Sequence, residues 1–389
     1  MESGRGRRRS LIHGYGAARR ASWLELFFDL VFVVAVFRLG QLLLDDPSAH
    51  GLLVYAGLIA TIWWLWFSFS YFADLFDDDR PPSRLVQLTA MLGVLALAAS
   101  LPSASAADAN RFAVAYALLL ILLTGSYLVV GGIDVEAREF CWWNAAGFLL
   151  GALLWFGSLP AHPPLRYAVW AVAVLVNAAI AGPLAYAAVR RAPTQKSHMP
   201  ERFGLFTIVV LGEAVLAVAN GIDASGWRPA SVAIGVAGFV IACGVWWVYF
   251  LATYDPEAGN RVLRAGRQAT VRSYFYAYGH LVVYAAIVTA GVGVELAAKA
   301  AAHQEPGPEV AARLLGGGQL AMMAGCVIIY RGIGVSVTRP VALTQTGLAL
   351  VALVIALAAP PPLVAVALSA AAWVVLAVVE QVSASHRSR

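Results

Sequence analysis

The chain has 389 residues, 60% of them hydrophobic and 13% charged, with a mean hydropathy of +0.74 and a formal net charge of +5. Soluble domains hold about 45–50% apolar and about 25% charged residues, so an ordinary soluble protein is excluded, and a disordered chain is excluded by the same hydrophobicity. A pI near 9.2 would suggest nucleic acid as partner for a soluble protein; here the basic residues cluster in particular loops, which points to membrane topology and anionic headgroups and to no nucleic-acid partner.

The tail, residues 1–22, carries Arg5, Arg7, Arg8, Arg9, Arg19 and Arg20 and is expected to sit on anionic lipid headgroups. The apolar run that follows contains Glu25, Asp29 and Arg38 and lacks a small-x-small cleavage site, so it reads as a retained first helix, not a secretion signal. Runs of roughly 20 residues suited to crossing a bilayer then recur along the chain. The segmentation predicts an all-α polytopic transmembrane bundle of twelve spans: 24–42, 52–73, 85–101, 112–131, 143–159, 165–189, 203–221, 230–251, 273–297, 314–333, 341–358 and 362–382. Breaks fall at Asp45-Asp46-Pro47, Pro81-Pro82, Pro102, His162-Pro163-Pro164, Pro193, Pro229, Pro306 to Pro308, Pro340 and Pro360 to Pro362. Of the 27 Lys and Arg, 21 fall on the side of the N-terminus, five on the other side, and Arg38 lies within a span. That bias places both termini on the cytoplasmic side of a multipass membrane protein.

Two segments repeat at an offset of 183 residues. Trp63, Trp64, Phe67 and Tyr71 meet Trp246, Trp247, Phe250 and Tyr254; Ser70 meets Thr253, Asp74 meets Glu257 and Arg84 meets Arg267. Spans two and eight are then equivalents, and after the basic tail the chain divides into parallel six-helix repeats at 23–192 and 193–389, the second ending in a short cytoplasmic tail. Tryptophan-rich helix ends also recur at membrane interfaces without any repeat.

Ionisable groups inside a bilayer cost about 2.5–3.5 kcal/mol each on insertion scales, so each needs a partner or a task. Glu25 and Asp29 are four apart on one face of span one. Glu25 is placed to cap the helix start and face Arg19 and Arg20, whereas Asp29, deeper, calls for a specific buried partner. Glu213 lies twelve residues, about 18 Å, past Glu201 along span seven, near mid-membrane, and Arg38 is thirteen residues past Glu25. The pseudo-symmetry would bring Arg38 and Glu213 to one depth, as an ion pair or as a substrate site. His280, about 12 Å in from Arg272, is suited to relaying protons or to donating to a helix carbonyl. Asn177, Gln319 and Gln345 suit helix–helix hydrogen bonds, and the acidic runs Asp77-Asp78-Asp79 and Asp134 to Glu139 read as solvated loops. Cys141, Cys243 and Cys326 lie far apart, with no spacing for a metal or disulfide, and no cofactor is predicted.

The segments Trp23-Leu24-Glu25-Leu26-Phe27-Phe28-Asp29-Leu30-Val31-Phe32-Val33, Glu201-Arg202-Phe203-Gly204-Leu205-Phe206 and Leu211-Gly212-Glu213 resemble the bacterial low-temperature-requirement A (LtrA) family, and the resemblance extends to His280. It implies a multipass bacterial inner-membrane protein named for a growth requirement in the cold, with Glu25, Asp29, Glu201, Arg202, Gly212 and Glu213 as the positions the family pattern marks. It implies no particular substrate or reaction.

Three functions fit. A transporter or permease for an unknown small molecule or ion would use a midplane site around Glu213, Arg38, Asp29 and His280, with Glu25, Glu201 and Arg202 as further candidates. A non-catalytic protein of membrane structure or stress adaptation would use the same charges to lock helices. An intramembrane enzyme acting on a lipid or isoprenoid would use Asp29 or Glu213 as acid and His280 as base, but no metal cluster, diphosphate-binding pair or nucleophile motif accompanies them.

Overall fold

A backbone in hydrocarbon must satisfy its N–H and C=O groups within its own segment, so long apolar runs become helices. The computed structural model describes residues 22–76, 81–104, 109–179, 198–253, 255–264, 266–302 and 307–387. Those residues form thirteen α-helices and no strand: α1 (Trp23–Asp45), α2 (Ala49–Phe76), α3 (Pro81–Ala104), α4 (Asn110–Ile133), α5 (Arg138–Gly157), α6 (Leu165–Ala179), α7 (Met199–Ala224), α8 (Pro229–Val248), α9 (Pro256–Arg264), α10 (Gly266–Ala301), α11 (Pro308–Ile333), α12 (Arg339–Ala358) and α13 (Pro362–Arg387). A π-helical turn, Tyr249–Thr253, continues α8.

Eleven of these helices are long and apolar enough to cross a membrane. They match the expected spans except the sixth, whose described part is the shorter α6; the rest of that span, like Pro193 and Asp77-Asp78-Asp79, lies outside the described residues. Proline starts helices where the sequence breaks: Pro81, Pro229, Pro308 and Pro362 are first residues and Pro340 a second. There its missing N–H forfeits nothing and its fixed φ already suits the helix. The expected break at Pro102 is displaced, because α3 runs on to Ala104. Span ten likewise begins earlier than 314, at Pro308, and passes straight through Gly316-Gly317-Gly318.

The chain folds as two compact units. One comprises residues up to Phe32 with Trp64–Met199; the other comprises Val33–Trp63 with Pro200–Arg389. In the first, α3 to α6 pack as successive neighbours around two aromatic clusters. Phe112, Tyr116, Trp155 and Trp170 form one, and the Trp170 indole also donates to Ser158 Oγ at 2.9 Å. Phe72, Phe76, Tyr127, Phe140 and Phe148 form the other. Asp134 is buried, not solvated: its Oδ1 accepts the backbone N–H groups of Glu136 and Ala137 in the turn that leads into α5.

In the second unit α10 and α11 run side by side with almost nothing between them. A methyl group on Gly318 would lie 2.7 Å from the Ala290 nitrogen, one on Gly325 would lie 2.8 Å from Val283, and one on Gly332 would lie 2.6 Å from the Tyr276 nitrogen. These three glycines recur every seven residues, which keeps them on one seam of α11.

The turn between α1 and α2 is tied by Asp46. Its Oδ1 accepts the Ser48 N–H at 3.2 Å, and its Oδ2 lies 3.3 Å from His50 Nδ1. Hydrogen bonding by Ser48, then by His50, holds the Asp46 carboxyl below its ordinary 3.8. A depressed folded-state value adds stability that is complete above the ordinary value and disappears as pH falls through the lowered one. Thermal melts should therefore show Asp46→Asn slightly less stable than wild type at neutral pH and equal to it in strong acid. A constant gap at every pH would show that the carboxylate charge contributes nothing.

Candidate functional site

The start of α1 belongs to the first unit. Ser22 N–H donates to Glu25 Oε2 at 2.7 Å and Glu25 N–H donates to Ser22 Oγ at 3.2 Å, a reciprocal capping box that places Glu25 as the helix cap. Arg19 and Arg20 lie outside the described residues. One turn on, Asp29 is 2% exposed and its Oδ1 accepts the Trp66 indole N–H at 2.7 Å. That charge-assisted bond ties α1 to α2 deep in the unit. Trp64 packs on Phe67, Phe67 stacks on Tyr71, and Asp74 Oδ1 accepts the His198 backbone N–H at 2.6 Å.

The residues matched to these by the 183-residue offset sit in other surroundings. Trp63 and Trp64 are buried, whereas Trp246 and Trp247 are 47% and 43% exposed, and Glu257 is exposed. Tyr254 lies outside the described residues.

In the second unit Arg202, at the start of α7, is 1% exposed and among the largest fully buried side chains, with Glu201 beside it half-buried. Arg38 is exposed, and no ion pair joins it to Glu213 among the described residues. The helix phase explains this. Gly40 is the α1 residue that meets Glu213, and Arg38, two positions earlier, points about 200° away around the axis.

Glu213 itself is 4% exposed. A methyl on Gly40 would come within 2.9 Å of its Oε1, so a glycine is what leaves room for the carboxylate, and Oε2 has no hydrogen-bond partner among the described residues. Tyr55 of α2 and Glu295 of α10 are near enough to act on Glu213 electrostatically. The Tyr55 and Thr289 hydroxyls both donate to the Ala285 carbonyl, at 2.9 and 2.8 Å. On a different face of α7, a cavity of about 30 Å³ is lined by Leu211, Ala214, Val218, Ile241 and Val294. That is room for about one water among wholly apolar walls, and Glu213 is not part of it.

His280 is not part of the Glu213 site. It stacks on Phe203 at 4.3 Å, with Tyr249, Tyr276 and Tyr284 around it. Phe203 precedes Glu213 by ten residues, about 15 Å of helix rise. His280 Nδ1 lies 2.7 Å from the Tyr276 carbonyl, which can only accept, so Nδ1 carries the proton.

A family profile described as "Bacterial low temperature requirement A protein (LtrA)" matches residues 20–380. The chain belongs to this family. It is similar to an uncharacterized protein, RA0937, of Rhizobium meliloti (strain 1021), with 29% identity over 287 residues that cover 70% of this chain and 68% of the relative. No solved structure matches it.

Two further acidic groups, not singled out by the sequence, are buried in the second unit. Glu295 on α10 is buried and pairs with Lys299 at 2.8 Å, one turn on. Glu380 on α13 is buried and accepts from the Gln345 amide at 3.4 Å, and the same amide lies 3.5 Å from the Tyr330 hydroxyl. Gln345 thus bridges helices, whereas Gln319 and Asn177 have no hydrogen-bond partner among the described residues. An apolar stretch interrupted by a single Glu was the available signal in each case: Val294-Glu295-Leu296 and Val379-Glu380.

Proposed function

We propose that this LtrA protein is a proton-coupled transporter of the bacterial inner membrane, both termini cytoplasmic, in which Glu213 alternately takes and gives up the coupling proton. One observation carries the reading: a carboxylate enclosed by α1, α2, α7 and α10 with one oxygen lacking any donor among the described residues. An isolated carboxylate in a low-dielectric interior is expensive, and a proton or a bound cation removes the expense. A purely structural role would supply a donor, as Trp66 does for Asp29, but Glu213 Oε2 has none among the described residues. Arg38, on the opposite face of α1 from Glu213, lies outside this proton site, and Arg202 with Glu201 stands at the start of α7, the helix that carries Glu213.

The test is mass spectrometry of small molecules that co-purify with the wild type and with Glu213→Gln. The expected result is a defined species held by the wild type and lost from a variant that still elutes as a folded monodisperse protein. If both retain only bulk membrane lipid, and the variant is merely less heat-stable, Glu213 is a packing residue and the reading fails.

A further inference from the structure

Glu213 is the innermost of three ionisable groups that step toward the C-terminal end of α10. Helices α7 and α10 lie in close contact through small residues: a methyl on Gly291 would fall 3.0 Å from the Ala214 Cα, and one on Gly221 would fall 3.1 Å from the Glu295 Cα. The contacts advance together along both helices, so these run parallel, and Glu295 stands roughly 8–12 Å further along the axis than Glu213. Glu295 is buried, and its partner Lys299, 19% exposed, lies one turn nearer the helix end. The remaining groups around Glu213 do not compete for this role. Tyr55 of α2 is committed to the Ala285 carbonyl, α1 contributes Gly40, and α8 carries no ionisable residue except Cys243, which is exposed.

We infer that the Glu295–Lys299 pair is the second station of a proton path, carrying the proton of Glu213 to water at the C-terminal end of α10. The step balances simply. The O–H bond of the Glu213 carboxyl breaks and, through bridging water, an O–H bond forms on the Glu295 carboxylate, whose ion pair with Lys299 opens. The proton then passes from Glu295 to water at the helix end, and Lys299, an ammonium throughout, re-forms the pair. This rests on Glu213 being the proton-binding group.

Infrared spectroscopy of protein reconstituted in bilayers separates the two ideas. The carboxylic carbonyl band present in the wild type and absent from Glu213→Gln belongs to Glu213, and its rate of change after a pH jump measures the path. Neutralising the pair with Glu295→Gln and Lys299→Gln together is expected to slow that rate by at least about 100-fold, the usual worth of a positioned acid–base group. Exchanging the charges, Glu295→Lys with Lys299→Glu, keeps an ion pair on the same helix face but moves the carboxylate one turn from Glu213. A relay predicts that the exchanged protein folds and stays slow; a purely structural pair predicts that it recovers the wild-type rate. Wild-type kinetics in either double variant, with the band still present, overturns the relay alone. A band that Glu213→Gln does not remove, or that ignores pH, overturns the reading of Glu213 itself.

Discussion

Gly318→Ala is expected to melt well below the wild type, while Gly317→Ala, its immediate neighbour, melts at or above it. A Cβ at 318 would meet the Ala290 nitrogen at 2.7 Å and the Ala286 carbonyl at 3.0 Å, both of them backbone, so only a shift of one helix against the other relieves it. Overpacking of that kind typically costs 1–3 kcal/mol. A Cβ at 317 has nothing within 4 Å, and replacing a helical glycine there gains roughly 0.5–1 kcal/mol of backbone entropy. Gly332→Ala, facing the Tyr276 nitrogen at 2.6 Å, should resemble Gly318→Ala. Thermal unfolding in one detergent decides the matter. If Gly317→Ala and Gly318→Ala melt together, α10 and α11 are not in backbone contact.

The second large effect belongs to Asp29. Asp29→Ala leaves the Trp66 indole N–H, in a side chain that is fully buried, without the acceptor it now has at 2.7 Å. Trp66→Phe leaves the carboxylate without that donor. A hydrogen bond to a charged group is worth about 1.5–3 kcal/mol, and an orphaned buried group adds its own desolvation penalty. Each single variant should therefore be markedly destabilised. The double variant, Asp29→Ala with Trp66→Phe, should lose less than the sum, by about 1–3 kcal/mol of coupling energy. Asp29→Asn keeps an oxygen acceptor and should lie between wild type and Asp29→Ala. Additive losses around the cycle would mean that the two side chains are neighbours without a bond that matters.

Most of the helix plan was legible because it depends on local rules. Proline forbids a preceding helical hydrogen bond, and Pro81, Pro229, Pro308, Pro340 and Pro362 duly stand in first turns. The capping role of Glu25 was equally local, since Ser22 precedes it by three residues. Partners distant in sequence were not legible. Nothing near Asp29 announces an indole 37 positions away, and the close seam of α7 on α10 that brings Glu295 toward Glu213 depends on Gly221 and Gly291, ordinary residues in a membrane helix. Depth along the helix is all that brings Arg38 and Glu213 together in the sequence. Depth is half of a helical coordinate; the angular half puts Arg38 on the outer face while Gly40 faces the carboxylate. Nor does matching sequence announce burial: Trp63 and Trp64 are buried, whereas Trp246 and Trp247 are half-exposed.

The glycine seam between α10 and α11 bears on temperature. Packing driven by release of water weakens on cooling, because its driving force near room temperature is entropic. A contact in which Gly318, Gly325 and Gly332 bring backbone against backbone draws instead on dispersion and Cα–H···O attraction, and immobilises no side-chain rotors on the glycines. Such a contact does not depend on the release of water, so cooling does not remove what holds these two helices together.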